Sequence, residues 1–157
     1  MATAESINKL FREKGLSLGS VESFTGGSFA SEITSVPGAS HFFKGAFVTY
    51  ATEEKQRLVG VAWQTIDRCG VVSREVAGEM AGHGKVLLNV DVCVSFTGNA
   101  GPEAMEGKPV GEIYIGVAFK DLVQVFAYQL SGTRKEIQKQ AINIAYETLE
   151  KIFGNNQ

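Results

Sequence analysis

The sequence predicts an α/β fold in three layers, with helices on both faces of one mixed, mainly parallel sheet. Three observations carry that expectation. Stretches with strand character alternate with stretches of helical periodicity along most of the chain, the pattern of βα units. A small polar turn with two glycines, within residues 21–27, joins a strand-like run to a helix-like one. Late in the chain a Lys120-Asp121 turn separates two strand-like runs, so a hairpin adds an antiparallel pair to the sheet.

Each element has its own signal. Ile7, Leu10 and Phe11 fall at helical spacing, and Gly15 stands where a left-handed residue closes a helix. Residues 16–21 alternate and read as a strand. Phe29, Ala30 and Ile33, set among Ser28, Ser31 and Glu32, read as the following helix, which Val36-Pro37-Gly38 stops. Residues 45–50 are rich in strand formers. Thr52 has the character of an N-cap for a short helix over 53–59, ended by Gly60. Trp63 and Cys69 fall in an expected loop, after which Ser73 caps a helix over 74–88. That helix contains Gly78, Gly82 and Gly84, each costing up to ~1 kcal/mol relative to alanine. Close packing against another element, or another subunit, is the expected reason.

Val90, Val92, Val94 and Phe96 alternate with Asp91, Cys93, Ser95 and Thr97, a strand with two unlike faces. It runs into a second glycine-punctuated turn, Thr97-Gly98-Asn99-Ala100-Gly101-Pro102, and then a polar loop over 103–109. Ile113, Ile115 and Val117 mark the first hairpin strand, and residues 122–130 the second. Thr133 and Glu136 form a capping box opening a long helix. Its buried face is expected to be Ile137, Ala141, Ile144, Ala145, Thr148, Leu149 and Ile152. All 157 residues are read as one domain, with a frayed tail over 154–157.

Bulk properties narrow the function. The net charge is −2 and there is no basic block, so no nucleic-acid footprint is expected. Apolar runs are strand-sized and no leader pattern opens the chain, so neither a membrane span nor secretion is expected, and the cytoplasm fits. Cys69 and Cys93, with His41 and His83, lack ligand spacing, so no metal and no cofactor are expected.

The turn at 22–27 is where chemistry concentrates. Its glycines let backbone N–H groups approach a ligand, and the helix behind it supplies partial positive charge. Ser23 stands at its mouth. Locally two readings stay open: Ser23 and Thr25 as helix caps, or as reacting and binding groups. Ser40, Tyr50, Thr97 with Gly98, and Arg134 also lie at strand or helix ends. They either line one crevice or are ordinary polar loop residues. Lys55 lies at the start of its helix, solvated or functional. Ser40-His41 makes no triad with any acid in sight.

Together these motifs resemble the CinA C-terminal domain family, the nicotinamide-nucleotide amidohydrolases. Glu22-Ser23-Phe24-Thr25-Gly26-Gly27 resembles the family's ESCTGG signature. The likeness continues at Val36-Pro37-Gly38-Ala39-Ser40, Phe47-Val48-Thr49-Tyr50, Glu53-Glu54-Lys55 and Gly70-Val71-Val72-Ser73. It extends through residues 97–102, Lys108-Pro109-Val110-Gly111 and Ser131-Gly132-Thr133-Arg134. The resemblance implies a three-layer α/β domain that hydrolyses the carboxamide of nicotinamide mononucleotide with a Ser/Lys dyad and no metal. Ser23 matches the nucleophile and Lys55 the base. Thr25, Gly26, Gly27, Ser40, Tyr50, Thr97, Gly98 and Arg134 match the pocket, with Arg134 toward the phosphate. The implied partner is a small nucleotide, and a homo-oligomer, dimer or trimer, is expected. The alternative is a module that binds such a nucleotide without turnover.

Four departures stand out. Phe24 replaces the usual cysteine, Asn99 an apolar residue, and Thr133 an acidic one, while residues 103–107 lack the usual glycine-rich run. For Lys55 to act as a base its ammonium must be destabilised. Burial and the helix N-terminus are expected to lower its pKa, with Glu53 and Glu54 opposing.

Overall fold

The computed structural model describes residues 1–154. Apart from Gly154, whose N–H donates to Glu150 O at 2.7 Å, the expected tail lies outside them. The elements are α1 (Ala4–Lys14), β1 (Leu18–Glu22), α2 (Ser28–Thr34), β2 (Phe43–Val48), α3 (Thr52–Val59) and α4 (Trp63–Cys69). They continue as α5 (Arg74–Leu88), β3 (Val92–Gly98), β4 (Glu112–Phe119), β5 (Leu122–Gln129) and α6 (Arg134–Phe153).

The strands form one open sheet in the order β2-β1-β3-β4-β5. β1 pairs in parallel with β2 and β3, and β4 runs antiparallel to both of its neighbours. Four strands therefore point one way and β4 alone runs against them. This is the expected mixed sheet, with helices on both faces.

Two apolar layers fill the space between sheet and helices. On one face α1, α2 and α6 bury Phe11, Phe29, Ile33, Ile137 and Leu149 against Val94 and Phe96. Phe29 sits 5.3 Å from the Phe96 ring and 5.7 Å from Tyr146. On the other face α3, α4 and α5 bury Val59, Ile66, Val76 and Met80 against Val21 and Cys93.

Most local signals appear as read. Gly15 closes α1 in the left-handed conformation, Ser73 caps α5 through Val76 N–H, and Thr133 with Glu136 forms the capping box of α6. Two expectations are corrected. Thr52 is the first residue of α3 and Ala51 precedes it with no side-chain cap. The expected loop at Trp63 is α4, because Glu79 of α5 accepts the Ala62 N–H (2.9 Å) and the Thr65 hydroxyl. That cap comes from 17 residues away and leaves no local trace. The polar face of β3 is buried, since α5 covers it. Ser95 donates to Ala77 O at 2.6 Å and Thr97 to Val71 O at 2.7 Å.

The path of the chain creates a gap. From β1 it steps outward to β2, then crosses back to place β3 on the other flank of β1. Loops leaving the carboxyl ends of β1 and β3 diverge at such a switch point and open a crevice between them.

Of the three α5 glycines, Gly84 answers to packing within the chain. A Cβ on Gly84 would collide with Val21 and with Cys93 Sγ at 2.8 Å, whereas on Gly78 or Gly82 it would meet Val125 or Val123 at 3.6 and 3.5 Å. Gly84→Ala should therefore destabilise the fold by roughly 1–3 kcal/mol through overpacking. Gly78→Ala and Gly82→Ala should be neutral or stabilising by up to ~1 kcal/mol, since the contact is ordinary and helix propensity improves. Urea midpoints of the three variants check the contrast.

Candidate active site

Glu22 ends β1 with no solvent exposure, so its carboxylate must find donors in the protein. It finds five. Oε1 accepts the Thr25 hydroxyl at 2.8 Å and the N–H groups of Gly27 and Phe29, each at 3.1 Å. Oε2 accepts the Ser20 hydroxyl at 3.0 Å and the Ala30 N–H at 2.9 Å. Phe29 and Ala30 lie in the first turn of α2, where N–H groups lack helical partners and favour an anion. The carboxylate thus ties the strand, the turn and the helix into one unit.

Ser23 follows at the carboxyl end of β1. Its N–H donates to Phe96 O at 3.0 Å, while Thr49 N–H donates to Glu22 O at 2.8 Å. The backbone here is pinned from both flanks. Lys55, on the second turn of α3, is 1% exposed. Its Nζ donates to Ser23 Oγ at 3.0 Å, to Thr49 O at 2.7 Å and to Tyr50 O at 3.3 Å. Burial pulls its pKa down from 10.5 to about 8, against opposing pulls from Glu106 and then Glu53. Glu106 takes the part that Glu54 was expected to play. Glu54 is turned to Arg57, 2.6 Å away.

A cavity of about 540 Å³ opens on Ser23. Its wall comes from Tyr50 beyond β2, Gly98 and residues 99–105 beyond β3, and Arg134 at the start of α6. The volume is in the range of small-molecule sites. Arg134 spans the mouth, donating to Gly101 O and, at 2.7 Å, to the Tyr50 hydroxyl.

The crevice therefore brings together Ser23, Tyr50, Gly98 and Arg134, and Lys55 reaches it through its contact with Ser23. Other nominated residues stand elsewhere. Thr25 and Gly27 serve the Glu22 carboxylate, and Gly26 N–H donates to Ser23 O at 3.0 Å. Thr97 is buried against the segment before α5. Ser40 is exposed in a turn that leads into β2, whose first residue, Phe43, pairs with Leu18 at the start of β1. That is the end of the sheet remote from Ser23. A separate hollow of about 780 Å³ lies there, lined by α1, Ser17, His41 and Lys44.

Of the residues where the sequence departs from the family pattern, Phe24 is buried in the α1/α2/α6 layer with an edge on the crevice, and Thr133 caps α6. Asn99 Oδ1 accepts Gly101 N–H at 2.9 Å and shapes the rim. Glu22, Glu106 and Lys108 carried no assigned role in the sequence. An acid closing a strand just ahead of a glycine turn and a helix was the available signal for Glu22. Glu106 had none.

The CinA C-terminal domain model matches residues 1–153. The chain belongs to this family. A relative from Caldicellulosiruptor saccharolyticus, provisionally named competence-damage inducible protein, is 41% identical over 152 residues. The match covers 96% of this chain and 37% of that relative, so the chain spans little more than a third of the curated protein's length. The solved competence/damage inducible protein CihA from Agrobacterium tumefaciens is 31% identical with a TM-score of 0.89, over 93% of this chain and 90% of that one. Competence damage-inducible protein A from Klebsiella pneumoniae reaches a TM-score of 0.95 at 23% identity, covering 98% and 96%, a likeness of fold.

Burying an ammonium has a cost in stability. For Lys55 the fall from 10.5 to about 8 corresponds to roughly 3 kcal/mol at neutral pH. Unfolded chains hold this proton more tightly, so the penalty is full below about pH 8 and disappears as pH rises toward 10.5. Lys55→Met keeps the volume and removes the charge, but leaves the Thr49 and Tyr50 carbonyls without a donor. It should raise the unfolding free energy at pH 7 by about 1–3 kcal/mol, measured in urea, with the gain shrinking at pH 10.

Proposed function

We propose that this chain is an amidohydrolase that converts nicotinamide mononucleotide to nicotinic acid mononucleotide and ammonia through a Ser23/Lys55 dyad. The observation that carries this reading is the 3.0 Å contact between Lys55 Nζ and Ser23 Oγ, both groups buried and Ser23 lining the crevice.

The hydrogen bonds around Lys55 suit a base. A neutral amine has two N–H donors and one lone pair. With the donors held by the Thr49 and Tyr50 carbonyls, the lone pair faces Ser23. Ser23 Oγ then attacks the carboxamide carbon and its proton passes to Nζ. The resulting ammonium returns that proton to the departing nitrogen, which leaves as ammonia. Water then cleaves the Ser23 ester, with Lys55 again taking the proton. Of Gly26, Gly27 and Gly98, the glycines matched to the pocket, Gly98 alone lines the crevice beside Ser23, so the oxyanion is assigned to that wall. Arg134, spanning the mouth between Gly101 and Tyr50, supplies charge-assisted donors for the phosphate. A homo-oligomer belongs to the same reading, though packing within the chain already accounts for Gly84 of α5.

Purified protein should release ammonia from the nucleotide, and Ser23→Ala should lose it by at least about 10³-fold. Because neutral Lys55 is the active form, kcat/KM should rise with pH through an apparent pKa of about 8 and fall roughly tenfold per unit below it. Lys55→Arg keeps the charge yet cannot act as a base, so it should lose nearly as much as Lys55→Ala. Binding of the nucleotide by calorimetry with no ammonia formed would favour the non-catalytic module instead.

The Arg134 assignment has its own test. Arg134→Gln should raise KM for the mononucleotide about tenfold or more, in line with losing a hydrogen bond to a charged group. The riboside, which lacks the phosphate, should be turned over equally by both proteins. Equal KM increases for the two substrates would remove Arg134 from the phosphate.

A further inference from the structure

Residues 99–105 line the crevice, and the chain that continues from them carries two charged side chains, Glu106 and Lys108, with no part in the reaction outlined above. Glu106 lays its carboxylate against the segment between α4 and α5. Its Oε2 accepts Val71 N–H at 2.9 Å and its Oε1 accepts Val72 N–H at 3.1 Å. Gly70 makes the room. Its φ is +78°, and a Cβ there would stand 2.5 Å from Glu106 Oε1. Lys108 reinforces the attachment, donating to Cys69 O at 2.9 Å and to Val72 O, with its Nζ 3.8 Å from Glu106 Oε1. The cradle is itself fixed to the sheet through Thr97 Oγ1 and Val71 O. Pro102, Glu103, Ala104 and Met105, which line the crevice with Ser23, lead directly into Glu106.

We propose that Glu106 is a positioning residue for the dyad, seated in the Gly70–Val72 cradle so that it holds the rim beside Ser23 and directs a negative charge toward Lys55. The proposal rests on Ser23 and Lys55 being the reacting pair. It concerns a segment, residues 103–107, where this chain departs from the family's glycine-rich run. Among the described residues, Glu106 and Glu53 are the charges that act on Lys55. Glu53 shares its helix, and Glu106 comes from the rim with Lys108 beside it. Tyr50 and Arg134 stand across the mouth, while Glu54 is engaged by Arg57. Among the charges, Glu106 gives the largest upward pull on the Lys55 pKa.

The two effects of Glu106 oppose each other, which makes them separable. Holding the rim favours binding, whereas its charge favours the ammonium and so weakens the base near neutrality. Glu106→Gln keeps the shape, but its amide NH₂ confronts one of the two backbone N–H groups and one hydrogen bond is lost. KM should rise several-fold. The ascending limb of kcat should also move to lower pH, so that a larger share of the enzyme is active below the midpoint. Gly70→Ala evicts the carboxylate while keeping the charge, and should reproduce the rise in KM.

A second readout needs no turnover. Protein carrying ¹³C-labelled lysine, with the Lys55 resonance assigned from Lys55→Arg, is titrated by NMR as wild type and as Glu106→Gln. A lower Lys55 midpoint in the variant upholds the proposal, even in a protein that releases no ammonia, which would sink only the amidase reading. An unmoved midpoint, or a KM increase with the kcat limb left in place, overturns it.

Discussion

A carboxylate with no access to water must be matched donor for donor, and at Glu22 that requirement organises one end of the molecule. Its five donors come from the strand it closes, the turn that follows and the first turn of α2. None can shift far without leaving a buried charge undercompensated, which costs several kcal/mol. Ser23 is the next residue along, so its position is inherited from this network. The left-handed conformations of Gly26 and Gly27, with φ of +61° and +97°, let the chain turn tightly enough for the carboxylate to reach the helix amides. The glycines nominated for substrate thus serve the scaffold behind it.

Lys55 obeys the opposite logic. Its ammonium has three acceptors, yet none is a carboxylate in contact, so burial outweighs attraction and the proton is loosened. Such a group lowers the stability of the fold in exchange for basicity, a common trade at functional sites. The surrounding charges set how far the trade goes. Glu54 is diverted to Arg57, leaving Glu53 and Glu106 as the opposing pulls.

The segment from Cys69 to Ser73 links the two halves of the site. It receives Thr97 from β3, Glu106 and Lys108 from the crevice rim, and it leads into α5 through the Ser73 cap. The polar side of β3 makes sense in this light. Ser95 and Thr97 are buried hydroxyls that satisfy carbonyls on the covering layer, so one strand is apolar toward α2 and α6 and hydrogen-bonded toward α5.

The sequence by itself determined the order of the elements apart from α4, the mixed sheet with helices on both faces, and the caps at Gly15, Ser73 and Thr133. It also singled out Ser23, Lys55, Tyr50, Gly98 and Arg134. Those features rest on periodicity and on contacts within a few residues, which the local order of side chains records. Tertiary structure decided the rest. The N-terminus of α4 depends on Glu79, the roles of Thr25, Gly26 and Gly27 follow from where the Glu22 carboxylate points, and Ser40 sits at the remote end of the sheet. Which polar group is buried, and which charge faces which, depends on elements far apart in the chain brought together by the sheet order. Local periodicity carries no record of those distances, so Glu106 beside the Gly70 cradle was visible only in the folded molecule.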